Sequence, residues 1–198
     1  MSDNFFTKKA TFFDRWAPNY DILLTTIFYQ AIHKRLLEYV KLPNCPDVLD
    51  LGCGTGRLLH RLATLNRDLR GIGLDLSPEM IRQARQRNHL RKQLIYIRGN
   101  AESLPFAARQ FDAVFNTISF LHYPNPQQVL SEVKRVLKQG GRFYLADTSI
   151  KIQYIPFSPG GLRLYSPQKR EQLALEVGLK TVAHHLLLSG VWLTIFEA

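Results

Sequence analysis

The sequence predicts an α/β fold of three layers, with helices on both faces of a mostly parallel, seven-stranded sheet. Three observations predict it. Short apolar runs alternate with helical stretches from residue 46 to residue 148, a pattern that calls for right-handed crossovers between parallel strands. The first run ends in a glycine-rich turn, Gly52-Cys53-Gly54-Thr55-Gly56, where strand gives way to helix. The last two runs, joined by Ser189-Gly190, read as a hairpin, so one strand of the sheet runs antiparallel.

Residues 4–41 read as a helical lid divided by Pro18, because proline pushes Ala17 out of helical geometry. After the division Leu23, Ile27, Ala31 and Leu36 recur at near-helical spacing. Phe5, Phe6, Phe12, Phe13 and Trp16 make the first piece aromatic. Most should pack on the main body, with one or two walling a ligand pocket. Val48 to Leu51 is the first strand, residues 57–65 a helix, and Gly71 to Asp75 a second strand. Ser77-Pro78 starts the next helix, with Ser77 as N-cap. That helix turns Met80, Ile81 and Ala84 inward and several arginines outward. Leu94 to Ile97 and Phe111 to Asn116 are strands. Asn125-Pro126 starts a helix with Val129, Leu130, Val133, Val136 and Leu137 on one face, which Gly140-Gly141 is expected to stop. Arg142 to Thr148 is the fifth strand. Pro156, Pro159 and Gly160-Gly161 mark an irregular loop, and Ser166-Pro167 caps a helix ending at Gly178.

The 198 residues suit one domain, 1–198. Within it 1–41 form the lid, 46–148 the ligand-binding core, and 149–198 a substrate-side loop, helix and hairpin. No run reaches the roughly 20 apolar residues of a membrane-spanning helix. The start, Met1-Ser2-Asp3-Asn4-Phe5, lacks the layout of a signal peptide, so a cytoplasmic location is expected. Cys45 and Cys53 are too few for a disulfide scaffold or a structural zinc site. The net charge is +10, and ten basic residues face three acidic ones between Arg57 and Arg98. Such a face can serve nucleic acid or an anionic partner. No aromatic residues interleave with these arginines, which favours solvated helix faces instead. Nucleic acid is therefore disfavoured, though not excluded.

Alone, the glycine turn is a weak signal, and three features sharpen it. Its spacing is G-x-G-x-G, with Arg57 where a dinucleotide fingerprint needs its last glycine. Asp50 lies two residues before the first glycine, where a carboxylate repels pyrophosphate and attracts an ammonium group. Asp75 ends the second strand, placed to accept hydrogen bonds from two ribose hydroxyls. Its plainer role as a helix cap is already filled by Ser77.

These residues carry a specific resemblance. Val48 to Gly56 resembles the first motif of class I, Rossmann-like methyltransferases that use S-adenosylmethionine. Gly73 to Met80, Gly99 to Phe106, Phe111 to Asn116 and Leu137 to Phe143 resemble the later motifs, in order. Phe13 to Asp21 is similar to the entry of the type 11 branch that includes ubiquinone and menaquinone biosynthesis methyltransferases. The resemblance implies S-adenosylmethionine as cofactor and a small-molecule acceptor. Asp50 would receive the methionine ammonium; Gly52, Cys53, Gly54 and Gly56 would present backbone to the methionine part, and Thr55 a hydroxyl. Asp75 would bind ribose, with Leu76 and Met80 against adenine. Asn100, Ala101 and Glu102 would meet the adenine edge. Asn116 and Thr117 would lie beneath the sulfonium, and Tyr20 would reach in from the lid or simply pack there.

Methyl transfer needs alignment and exclusion of water, and a base only if the acceptor must lose a proton. His122, after the fourth strand, is the candidate base, since an imidazole can titrate near neutral pH; hydrogen bonding within its loop is the alternative. Asp147 either faces the acceptor or caps a loop. His184 and His185 are neighbours on a strand and point to opposite faces, so no metal site is expected. Asn116-Thr117-Ile118-Ser119 is not the Asn/Asp-Pro-Pro-aromatic sequence that grips planar amino groups. Two cysteines disfavour a thiol-bound metalloid, and the lack of an acidic pair after Asn116 disfavours aminopropyl transfer. The apolar lid and the loop from Ile150 to Tyr165 point to a hydrophobic acceptor, such as a quinone precursor or a lipid. The competing readings are a nicotinamide oxidoreductase, a non-catalytic cofactor-binding module and an RNA-directed methyltransferase. A monomer or a homodimer is expected.

Overall fold

The computed structural model describes residues 2–16, 23–150 and 161–198. Tyr20 and most of the loop expected to shape the acceptor pocket lie outside the described residues. Two helices, α1 (Ser2–Trp16) and α2 (Leu23–Leu37), precede β1 (Asp47–Leu51), α3 (Arg57–Leu65), β2 (Arg70–Asp75), α4 (Pro78–Arg87) and β3 (Leu94–Arg98). Then come β4 (Phe111–Thr117), α5 (Pro126–Val136), β5 (Leu137–Thr148), α6 (Pro167–Glu176), β6 (Lys180–Leu188) and β7 (Val191–Glu197).

The strands form the predicted single sheet, in the order β3-β2-β1-β4-β5-β7-β6. β1 to β5 pair in parallel, and β7 runs antiparallel to both β5 and β6. One apolar core joins α2, α3 and α4 to the sheet, and a second joins α5 and α6 to its other face. Helix α3 shows why these segments fold as they do. Leu58, Leu59, Leu62 and Ala63 make one buried stripe at helical spacing. Local capping fixes three helix starts: Ser77, Asn125 and Ser166 accept hydrogen bonds from the N–H groups of Met80, Gln128 and Lys169.

Two expectations are corrected. In α2 the buried face is Tyr29, Ile32, His33 and Leu36, while Ile27 is exposed; the helix is turned so that Tyr29 and His33 meet the core. Helix α5 ends at Val136 rather than at Gly140-Gly141, and β5 begins at Leu137. Leu137 pairs with Phe111 of β4, and Lys138 reaches the carboxylates of Asp47 and Asp112. Gly141 serves the resulting irregularity in β5, since a Cβ there would lie 2.8 Å from the Lys138 carbonyl oxygen.

After β1 the chain builds β2 and β3 to one side, then returns to build β4 and β5 on the other. The carboxyl ends of β1 and β4 thus flank the point where strand order reverses, where open α/β sheets bind ligands.

Candidate active site

The turn after β1 winds through three left-handed glycines, Gly52, Gly54 and Gly56, with φ of 67°, 53° and 80°, a conformation that side chains disfavour. At Gly52 the need is also steric: a Cβ would lie 2.3 Å from Ser119 Oγ. Ser119 is fixed in turn by Leu51 O (3.1 Å) and by Asn116 Nδ2 (2.7 Å), which also donates to Tyr123 Oη.

Four of the turn's five amides are committed within the protein. Gly52 N–H and Cys53 N–H donate to the Leu74 carbonyl, Gly56 N–H donates to the Cys53 carbonyl, and Gly54 N–H donates to Asp75 Oδ2 at 2.8 Å. A phosphate-binding turn works by aiming such amides at the anion. This turn aims them inward and sets two carboxylates beside them. Asp75 is held at its other oxygen by Ser77 N–H (2.9 Å). Burial pushes its pKa up, against the Ser77 and Gly54 backbone donors that pull it down. Asp50, 2% exposed, is driven well above the carboxylate range by burial and by the charge of Asp75. A cation beside Asp50 would relieve both effects.

A cleft of about 790 Å³, mouth included, opens over these strand ends. Its deep part is lined by Gly52, Gly54, Asp75, Leu76, Met80, Asn100 and Ala101, and its mouth by Phe6, Lys9, Phe13, His122 and Tyr123. Thr117 and Ile118 form the floor between them, with Ile118 in a left-handed conformation (φ 49°). Such strain in a β-branched residue is found where a site dictates the backbone. The predicted set is therefore largely convergent. Cys53 and Thr55 line an adjoining chamber instead, together with Asp50. Asn116 lies behind the wall and organises Ser119 and Tyr123. Glu102 faces the start of α5, where it accepts from Asn125 N–H.

Helix α1 is pinned by residues that the sequence did not single out. Asp14 of α1 accepts from Ser77 Oγ (2.6 Å) and Glu79 N–H (3.1 Å), adding an anion at the N-terminus of α4. Lys9 Nζ donates to the His122 carbonyl. Burial, then the charge of Arg163, lowers the Lys9 ammonium to about 8, against a smaller opposing pull from Glu102.

His122 is in the cleft, edge-on to Phe13 at 5.1 Å between ring centroids. The expectation that it titrates near neutral pH is corrected: burial, then the charge of Lys9, pushes it down to about 3. A histidine that stays neutral when folded but ionises when unfolded contributes stability above pH 6.5 that is lost as pH falls toward 3. Between pH 7 and pH 5 the wild type should lose about 2 kcal/mol relative to His122→Phe. Urea unfolding of both proteins at the two pH values measures this. A constant difference would show that His122 is exposed enough to ionise in the folded chain.

Asp147 caps rather than faces the cleft, accepting from Leu121 N–H (2.9 Å) and Thr148 N–H (2.7 Å). His184 contacts Thr194 and His185 stacks on Tyr39. No metal-binding cluster occurs among the described residues, and no helix among them is long and apolar enough to cross a membrane. Part of the basic face is engaged internally: Arg82 pairs with Glu79, Arg70 with Asp47, and Arg85 donates to the Tyr96 carbonyl.

Residues 49–145 match the family model described as a methyltransferase domain. The chain is 38% identical over 135 residues to a malonyl-[acyl-carrier protein] O-methyltransferase of Herminiimonas arsenicoxydans, covering 68% of this chain and 49% of that protein. It is 33% identical over 156 residues to a demethylmenaquinone methyltransferase of Lactiplantibacillus plantarum, covering 75% and 66%. The chain thus spans about half to two thirds of the length of these curated relatives. Its backbone matches, with a TM-score of 0.85, a chain of the solved complex between the Haloferax volcanii Trm112 methyltransferase activator and a methyltransferase. That match covers 94% of this chain and 97% of the other at 24% identity, and it speaks for the fold.

Proposed function

The chain belongs to the class I, S-adenosylmethionine-dependent methyltransferases, in the branch of the ubiquinone and menaquinone biosynthesis enzymes. From that premise we propose that it transfers a methyl group from S-adenosylmethionine to a small, apolar acceptor that arrives already ionised. The observation that carries this reading is the cleft itself. An acidic, phosphate-averse glycine turn adjoins a nucleoside-sized wall, and both open into an aromatic mouth that holds a neutral histidine.

The cofactor, when bound, supplies an electrophilic methyl group on a sulfonium. The residues present fit it. Asp75, with each oxygen held by one backbone N–H, keeps acceptor capacity for the ribose hydroxyls. Leu76 and Met80 give apolar walls for the base, with Asn100 and Ala101 at its edge. Asp50 is a buried carboxylate in want of a cation. Thr117 floors the passage between cofactor and mouth. Alignment and removal of water then do most of the work.

His122 is a poor proton acceptor at pH 7, since its imidazolium is suppressed to about 3. In this reading it orients the acceptor by a hydrogen bond and does not deprotonate it. Lys9, with Arg163 close enough to depress it, gives the mouth a positive potential. Both features favour an acceptor oxygen that is anionic beforehand, such as a carboxylate or an acidic enol. The non-catalytic and RNA-directed readings draw on the basic surface, which the internal pairings of Arg70, Arg82 and Arg85 already explain in part.

A donor-consumption screen tests the proposal with carboxylic acids, acidic enols, weakly acidic phenols and alkylamines at pH 6 to 8. Turnover confined to the first two classes, and flat with pH, is expected. Turnover only with amines, or a rate climbing tenfold per pH unit, overturns the choice of acceptor.

A further inference from the structure

Helix α1 turns one stripe toward the cleft. Phe6, Lys9 and Phe13 line the mouth, and Ala10, on the same face, is buried. Their spacing places them on one side of a helix. Phe6, Ala10 and Phe13 are apolar, as packing requires. Lys9, among them, is 3% exposed. Lysine is seldom buried so deeply, because its ammonium gives up water. A stripe that served only to cover the cleft would place leucine or methionine there at less cost.

The surroundings add charge. Lys9 Nζ donates to the His122 carbonyl. Arg163 reaches the flanking carbonyls, its backbone N–H on Leu121 at 2.9 Å and its Nη1 on Tyr123 at 3.3 Å. Two cations thus converge on one turn. Burial, then the charge of Arg163, depresses the Lys9 ammonium against a smaller pull from Glu102. An anion seated at the mouth would relieve both effects. The walls beside it, Phe6, Phe13, Ile118, Tyr123 and Pro124, are apolar or aromatic, so that anion should carry an apolar body.

We propose that Lys9 is the specificity-determining residue for the acceptor, seating one oxygen of an apolar carboxylate while the other oxygen takes the methyl group. The inference rests on the donor and the ionised acceptor proposed above, and it narrows the second. A carboxylate has two equivalent oxygens, so the ammonium can hold one and leave the lone pairs of the other to attack. A phenolate or simple enolate offers a single charged oxygen, which the ammonium would blunt. In the transfer an oxygen lone pair forms the O–C bond, and the C–S bond breaks with its electrons going to sulfur. A neutral ester and a neutral thioether result. No proton moves, in keeping with a His122 that stays neutral.

Calorimetry on protein saturated with the demethylated donor compares octanoate, 1-octanol and octylamine, one chain with three head groups. Wild-type protein should bind octanoate about tenfold or more tighter than octanol, with octylamine the weakest of the three. Lys9→Met and Lys9→Gln remove the charge at similar length. Each should bring octanoate down to octanol, with octanol itself within about threefold of wild type. Affinity for the demethylated donor should stay within about threefold, which reports an intact cleft. An octanoate preference that survives in either variant, or a loss shared equally by octanoate and octanol, overturns Lys9 as the seat and leaves the ionised acceptor standing. Wild-type protein with no preference for octanoate overturns the ionised acceptor, and this inference with it. Wild-type protein that does not bind the demethylated donor overturns the donor reading, on which both rest.

Discussion

Asp75→Asn is expected to weaken binding of S-adenosylmethionine and of its demethylated product by about a hundredfold or more, the loss of two charge-assisted hydrogen bonds. The reason lies in how the carboxylate is used twice. Each oxygen accepts one backbone N–H, from Gly54 at 2.8 Å and from Ser77 at 2.9 Å, which leaves one acceptor direction per oxygen for a diol. An amide keeps the shape but turns one oxygen into a donor. Whichever way the amide lies, its NH₂ meets a backbone N–H, and either the glycine turn or the start of α4 loses its partner. The second ribose acceptor is lost as well. The substitution should also cost about 1–3 kcal/mol of stability, the range for a buried donor left unmet. Calorimetry gives the affinity and urea unfolding the stability. A variant that binds within fivefold of wild type would remove Asp75 from the ribose site.

Much of the fold was legible because it is written locally. Ser77, Asn125 and Ser166 announce helix starts through side chains that satisfy amides three residues on. Ser189-Gly190 announces the hairpin because Gly190 adopts a left-handed φ of 74°. The glycine turn and Asp75 were legible for the same reason: strand, turn and carboxylate follow one another in the chain.

What failed depends on partners distant in sequence. Helix α5 ends early because β5 finds Phe111 and Asp112 across the sheet. Periodicity allows several apolar faces for α2, and only docking against β6 and the first apolar core selects the one that buries His33. Nothing local marks Lys9, a lysine in a polar stretch of helix, as 3% exposed. His122 does line the cleft, but the depression of its pKa comes from burial beside Lys9, which is a tertiary fact. Asp14 had a signal in the stretch that is similar to the entry of its branch, but its use as an anion for α4 shows only with the two helices in contact.

Arg170 is the strongest such case, and its removal is the largest stability effect expected. In Pro167-Gln168-Lys169-Arg170-Glu171 it looks like one of several solvated charges on α6. The structure buries it to 1% exposure. Nη1 donates to the Trp192 carbonyl at 2.9 Å and Nη2 to the Asp147 carbonyl at 2.8 Å, clamping α6 onto β5 and β7. The Asp147 carboxylate next to it holds Leu121 N–H, in the short helical turn that carries His122. Arg170→Met keeps the volume but leaves two buried carbonyls without their donor and takes a positive charge away from the neighbourhood of the Asp147 carboxylate. The expected cost is about 2–6 kcal/mol, at about 1–3 kcal/mol for each buried acceptor left unmet.

The pH dependence of that cost has a definite sign. Burial raises Asp147 to about 6, even with the Arg170 charge pulling it down. A carboxyl raised above its unfolded value stabilises the native state when protonated, and that contribution is lost as pH climbs through the folded pKa. Without Arg170 the folded pKa moves higher still, so the ionised form is disfavoured over a wider range. The gap between wild type and Arg170→Met should therefore be larger at pH 8 than at pH 5. Urea midpoints with unchanged slopes would report it. A gap below about 1 kcal/mol at pH 8 would place Arg170 among ordinary surface charges. A large gap that ignores pH would assign its worth to the two carbonyl hydrogen bonds alone, and would sever the electrostatic link from α6 through Asp147 to the turn that positions His122.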